Sequence, residues 1–243
     1  MPRSSPLLRL QELAQEQWGL VTRRQLQAAG IGSTTLERLT APGGALERVA
    51  RGVYQLAGAP IPDHRELLAA WLQLAPEIPV WERQSAQGVV SHRSAASVFE
   101  LGHLPADHHE FTVARRHQTR RPDVRIHVLP LSDSEWVSVR GLPVTRPSRI
   151  AADLIRDRED PEAVAQIVTE AIRRIKDYPG TFADAFGPYA ATFGLRRDDG
   201  LAVLRWLLDL TGDPERNRWI AEAHKHAERA SVRPNTTKRT ALE

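Results

Sequence analysis

Cysteine is absent from all 243 residues, and only three lysines, Lys176, Lys225 and Lys238, stand among 33 basic side chains. Without cysteine there are no disulfide scaffolds, thiolate zinc sites, iron–sulfur ligands or cysteine nucleophiles. Long apolar runs are missing too: nowhere do eighteen apolar residues follow one another, so no helical membrane span is read. Met1–Pro6 leads straight into an amphipathic segment with no signal-peptide core, and a soluble, cytoplasmic protein is expected. Catalytic signatures are likewise scarce. The residues two before the lysines are Arg174, Ala223 and Thr236, which fails the acid-x-lysine requirement of a restriction-type nuclease. Gly32-Ser33 is followed by no Asp-x-Asp, as a nucleotidyltransferase would need, and neither a Gly-x-Ser-x-Gly elbow nor a phosphate loop ending Gly-Lys occurs. Neither an enzyme nor a cofactor is expected.

What is present is arginine, unevenly spread. The net charge of +3 is too small to identify a nucleic-acid binder. Residues 1–58 carry 7 basic and 4 acidic side chains, 59–114 carry 3 and 7, 115–150 carry 8 and 3, and 151–243 carry 15 and 16. Two basic islands therefore lie in an otherwise balanced chain. In the first, Leu7, Leu10, Leu13 and Ala14 make an amphipathic helix over 6–17 that Gly19 stops. Thr22 is expected to cap a helix over 23–29, closed by Gly30, and Ser33 a third over 34–40. Two short strands, 46–49 and 53–56, follow as a hairpin turning at Ala50-Arg51-Gly52. Helix, tight turn, helix and hairpin read as a winged helix-turn-helix. Leu36 and Leu39 then face the core with Leu26 and Ile31, leaving Ser33, Thr34, Thr35 and Arg38 outward. Hydroxyls and one arginine at a helix start suit base edges, the guanidinium matching guanine O6 and N7. Thr22, Arg23 and Arg24 at the second helix, and Arg48 and Arg51 on the wing, are the expected backbone contacts.

The second island centres on Arg115, Arg116, Arg120 and Arg121, between a strand with Phe111 and Val113 and another with Val124, Ile126 and Val128. It reads either as a further phosphate contact or as a solvated hairpin connection. Further along, Pro147 opens a helix, and Asp160-Pro161-Glu162 and Asp213-Pro214-Glu215 are helix starts. His92, His103, His108 and His109 lack a spacing that puts two ligands on one helix face, and no metal is expected. Phe182, Phe186, Tyr189 and Phe193 form an aromatic stripe, read as core or as a partner surface. On one helix, Asp153 is expected to pair with arginine rather than to grip a cation.

Leu10-Gln-Glu-Leu13, Gly19-Leu-Val-Thr-Arg-Arg-Gln-Leu26, Ala29-Gly-Ile31, Leu36-Glu-Arg-Leu39 and Arg51-Gly-Val-Tyr54 together resemble the N-terminal domain of AbiEi-type antitoxins of type IV toxin–antitoxin systems. Val89-Val-Ser-His-Arg-Ser-Ala-Ala96, Gly141-Leu-Pro-Val-Thr-Arg-Pro-Ser148 and Ala152-Asp-Leu154 are similar to the central domain of the same proteins. The resemblance implies a transcriptional autorepressor that binds repeats in its own promoter. It also implies a downstream domain that counters a nucleotidyltransferase-like toxin, without a stable complex between the two. The expected fold is a helix-rich mixed α/β protein. A winged helix-turn-helix spans 1–58, a mixed α/β domain 59–155, a helical region 156–230 and a flexible tail 231–243. Double-stranded DNA is the expected partner, with no membrane. Two alternatives stay open: an interaction module using the aromatic helices, and a nucleic-acid-processing enzyme with an unrecognised site.

Overall fold

A computed structural model describes residues 6–116, 118–119 and 121–232; Arg120 and most of the expected tail lie outside the described residues. The fold is mixed α/β with two sheets. Packing divides the chain into two units, residues 1–98 with 106–145 and residues 99–105 with 146–243. The helix after Pro147 packs with the later helices.

The first unit begins with α1 (Pro6–Gln15), whose Leu10 and Ala14 are buried. There follow β1 (Leu20–Thr22), α2 (Arg23–Ala28), α3 (Ser33–Leu39), β2 (Leu46–Ala50) and β3 (Val53–Leu56). β1 is a strand that period reading missed, since three residues are too few to show alternation. The three strands form an antiparallel sheet in the order β1-β3-β2, with Val21 and Arg48 both opposite Tyr54. One core cluster joins helices to sheet: Leu10, Ala14, Val21, Leu26, Ile31, Leu36, Leu39, Leu46 and Tyr54. Each large aliphatic side chain there contributes about 1.5–3 kcal/mol by leaving water. Ser33 is the first helical residue and not the cap; Gly32 occupies that place, without a side-chain bond.

α4 (Arg65–Leu74) buries Leu67, Leu68, Trp71 and Leu72. β4 (Val89–Val90), α5 (His92–Val98), β5 (His109–Val113), β6 (Val124–Val128), β7 (Trp136–Val139) and β8 (Leu142–Thr145) complete the unit. Their five-stranded sheet has the order β6-β5-β4-β8-β7. β5 and β6 run parallel, which corrects the expected hairpin. The chain between them must travel back the length of a strand, so this polar, arginine-rich connection is a crossover and not a tight turn, with Arg115, Arg116, Gln118 and Thr119 exposed.

The second unit is helical: α6 (Pro147–Arg156), α7 (Pro161–Arg173), α8 (Pro179–Phe186), a 3₁₀ stretch Gly187–Phe193, α9 (Gly200–Thr211) and α10 (Arg216–Val232). Proline at the first turn starts α6, α7 and α8, and Asp160 caps α7 through the amide of Ala163 at 3.3 Å. α10 begins two residues later than its Asp-Pro-Glu signal implies: Asp213 accepts from the amide of Glu215, and the helix starts at Arg216. The core holds Ile150, Leu154, Ile167, Val168, Phe182, Phe186, Leu204, Leu207 and Trp219. Asp153, fully buried, pairs with Arg149 and Arg156 at 3.0 Å each, as expected. Burial nonetheless raises its carboxyl above the ordinary aspartate range against the pull of those arginines. Among the described residues no helix is long and apolar enough to cross a membrane.

Candidate nucleic-acid interface

α2 is held at its start by a reciprocal pair of bonds. The amide of Gln25 donates to Thr22 Oγ1 at 3.2 Å, and the amide of Thr22 donates to Gln25 Oε1 at 2.9 Å. This is the capping box that Thr-x-x-Gln encodes. The Thr22 hydroxyl also donates to the carbonyl of Pro76. Thr22 is thus wholly buried with its hydroxyl committed, a correction to its expected surface role. Its work is to fix the residues that follow. Arg23 and Arg24 are exposed on the first turn.

The hairpin is tied to the same place. The amide of Arg23 donates to the carbonyl of Gly52 at 2.8 Å, and Gly52 takes φ +73° in the turn after Arg51. A bulge between Arg48 and Ala50 bends β2 beside it. Arg23, Arg24, Arg48 and Arg51 therefore face one cleft of about 760 Å³. Its remaining wall comes from farther along the chain: Gln73 of α4, and Gln118, Thr119 and Arg121 of the β5–β6 crossover. Among the described residues five arginines from both basic islands line it, and no carboxylate does. Among the described residues Arg23, Arg24, Arg48 and Arg51 have no acid within ion-pair distance. Arg121 is different. It grips Asp123 with Nε (2.9 Å) and Nη2, and donates through Nη1 to Gln73 Oε1, while Gln73 donates to the carbonyl of Arg51. The guanidinium's bonds hold the Asp123 carboxyl below its usual range.

Other expected contacts fall elsewhere. Ser33, Thr34 and Arg38 are exposed on α3, with Thr35 half-buried, opposite the buried Leu36 and Leu39; none of the four lines the cleft. Arg115 and Arg116 are exposed on the crossover but also outside the lining. Gln27 is a lining residue that sequence reading missed, although it sits three and four positions from Arg24 and Arg23, on their face of α2. Gln73 and Tyr54 had no such signal; only the tertiary fold brings them there.

The first unit also contains a histidine arrangement that spacing did not reveal. The rings of His92 and His127 stack with centroids 3.6 Å apart. His127 Nε2 lies 3.4 Å from Glu110 Oε1, and the amide of Arg93 donates to Glu110 Oε2 at 2.9 Å. Burial pushes the Glu110 carboxyl up, but these donors and the His92 ring outweigh it and leave the group below its ordinary value.

Three helices and a three-stranded antiparallel sheet make a small module, rimmed on one side with Arg23, Arg24, Arg48 and Arg51. Residues 8–57, which cover that module, match the model of the family described as transcriptional regulator, AbiEi antitoxin. The resemblance read from the N-terminal residues holds over this segment, and the second block lies beyond the match. No curated protein matches the chain.

Proposed function

We propose that this chain is a DNA-binding transcriptional autorepressor and the antitoxin of a type IV toxin–antitoxin pair. Its first unit acts as a winged helix-turn-helix. Ser33, Thr34, Thr35 and Arg38 of α3 read base edges, while Arg23, Arg24, Arg48 and Arg51 hold the phosphate backbone. The observation that carries the reading is the carboxylate-free cleft on which those four arginines and Arg121 converge, within and beside the segment that matches a family of transcriptional regulators. Arg121 extends the backbone contact to the crossover, whose exposed Arg115 and Arg116 lie outside the cleft. The functional partner is a nucleotidyltransferase-like toxin, countered without a stable complex.

Phosphate neutralisation predicts its own test. Each arginine–phosphate contact steepens the dependence of log K on log salt by about 0.9. Full-length protein titrated onto a duplex of its upstream DNA at several salt concentrations should give a slope of about −4 to −5 for five contacts per chain. Replacing Arg23, Arg24, Arg48 and Arg51 together by alanine should flatten it to about −1. A slope unchanged by the replacement would overturn the cleft as the backbone seat. The interaction-module alternative draws less support, because Phe182 and Phe186, half of the aromatic stripe, are fully buried.

A further inference from the structure

The second unit contains a cavity of about 530 Å³ that the DNA reading does not use. Ile155 and Leu207 floor it, Tyr189, Phe193 and Trp206 wall it, and Arg158 stands at its edge. The rings of Phe193 and Trp206 lie 4.9 Å apart at 44°. Both are half-buried, although they sit beside a core that seals Phe182 and Phe186 completely. Burial raises the Tyr189 hydroxyl above its ordinary pKa, so it is a neutral donor at physiological pH, and it has no hydrogen bond among the described residues. The volume suits one small molecule, and the lining sets apolar and aromatic faces beside Arg156, Arg158, Glu159, Thr192 and the Tyr189 hydroxyl.

The charges point to the sign of the ligand. Arg156 spends its guanidinium on Asp153 and Asp157. Glu159 turns its carboxylate back to the amide of Asp160 at 3.3 Å. Arg158 is exposed, and its guanidinium makes no ion pair or hydrogen bond among the described residues. Its backbone is unusual. The amide of Glu159 donates to Leu154 O at 2.9 Å and that of Arg158 to Ile155 O at 3.0 Å, the two bonds of a Schellman end to α6. Arg158 thereby holds the left-handed position, φ +60°, where glycine is unstrained. A long cationic side chain is kept at the cavity edge in a conformation that disfavours any side chain.

We propose that this cavity is a ligand site for a small planar aromatic carboxylate, its ring against Phe193 and Trp206 and its carboxylate on Arg158. The site is independent of the DNA interface. The test is calorimetric titration of the full-length protein with naphthalene-2-carboxylate, naphthalene-2-carboxamide and cyclohexanecarboxylate. The naphthoate should bind once per chain, and each of the other two about tenfold or more weaker. Arg158→Gly should raise the melting temperature, by relieving the strained backbone, yet weaken naphthoate about tenfold while leaving the carboxamide unchanged. Trp206→Ala should weaken both naphthyl compounds, with helix content checked by circular dichroism. The proposal is overturned if naphthoate does not bind, if the carboxamide or the saturated acid binds as tightly, or if Arg158→Gly retains naphthoate affinity.

Discussion

On the proposed DNA reading, Asp123 is a competitor of phosphate for Arg121. Its carboxylate takes two of the guanidinium's donors, so the fifth arginine of the cleft is only partly available. Asp123→Asn should tighten binding to any duplex and steepen the salt slope by a small fraction of one phosphate's worth, which is about 0.9. A filter-binding series in salt would show this; weaker binding by the variant would mean that Asp123 is needed to aim Arg121. Arg38 belongs to a different surface, and its loss should look different. Arg38→Ala should cost about 1–3 kcal/mol on the operator and relax preference at one base pair, while Arg24→Ala weakens operator and random DNA alike. Equal losses for both variants on both duplexes would remove Arg38 from base reading. At this scale the sequence was legible wherever chemistry is local. The Thr22–Gln25 box and the outward face of α3 follow from spacings of three and four. The outward role expected for Thr22 does not follow from spacing, since its hydroxyl's partner, the Pro76 carbonyl, is 54 residues away.

Among elements, contact distance separates what is written locally from what is not. Helix starts at Asp160 and Pro147 were visible, since a cap and a proline act within one turn. Strand direction was not: β5 and β6 alternate equally well in either orientation, and only the return path of the crossover distinguishes them. Nor was the crossing of α8 with α9. A Cβ on Gly200 would lie 1.9 Å from the carbonyl oxygen of Ala183 and 2.6 Å from the amide nitrogen of Gly187. These are backbone atoms, which no rotamer change can move aside. Gly200→Ala should therefore force the helices apart and cost about 2–3 kcal/mol in urea denaturation. A loss below 0.5 kcal/mol would show that α9 shifts freely. The end of α4 is sealed from outside the helix. Arg83 donates to the carbonyls of Trp71 and Leu72 at 2.7 Å and Ala75 at 2.6 Å, and its guanidinium lies 4.3 Å from the centre of the Trp71 ring. Burial pulls its pKa down to about 10, still charged at neutral pH. Arg83→Lys, which keeps the charge but loses the planar fork, should cost about 1–2 kcal/mol by the same measurement.

For the molecule as a whole, net charge was the least informative number and its distribution the most. An overall +3 hid two arginine-rich islands that sequence reading placed in separate domains. Folding puts Arg23, Arg24, Arg48 and Arg51 of one beside Arg121 of the other, on a cleft with no acid among its described lining residues. That meeting was beyond the sequence, because it depends on α4 and the crossover closing the same wall.

The polar network beneath α2 has a consequence for how this module can be inherited. Gln17 donates to Leu20 O and to Gln25 Oε1 and accepts from the amide of Val80; Gln25 reaches Ile78 O, and Thr22 reaches Pro76 O. The segment shared with the regulator family ends at 57, yet three of its buried polar side chains find partners at 76–80. Grafted onto another protein as residues 1–58, it would carry Gln17, Thr22 and Gln25 with bonds missing, at about 1–3 kcal/mol for each group left buried and unsatisfied. Evolution can shuffle such a piece only together with a host that offers carbonyls and an amide at the same places. The heritable cassette here is longer than its recognisable signature, and recombination at residue 58 should select against itself.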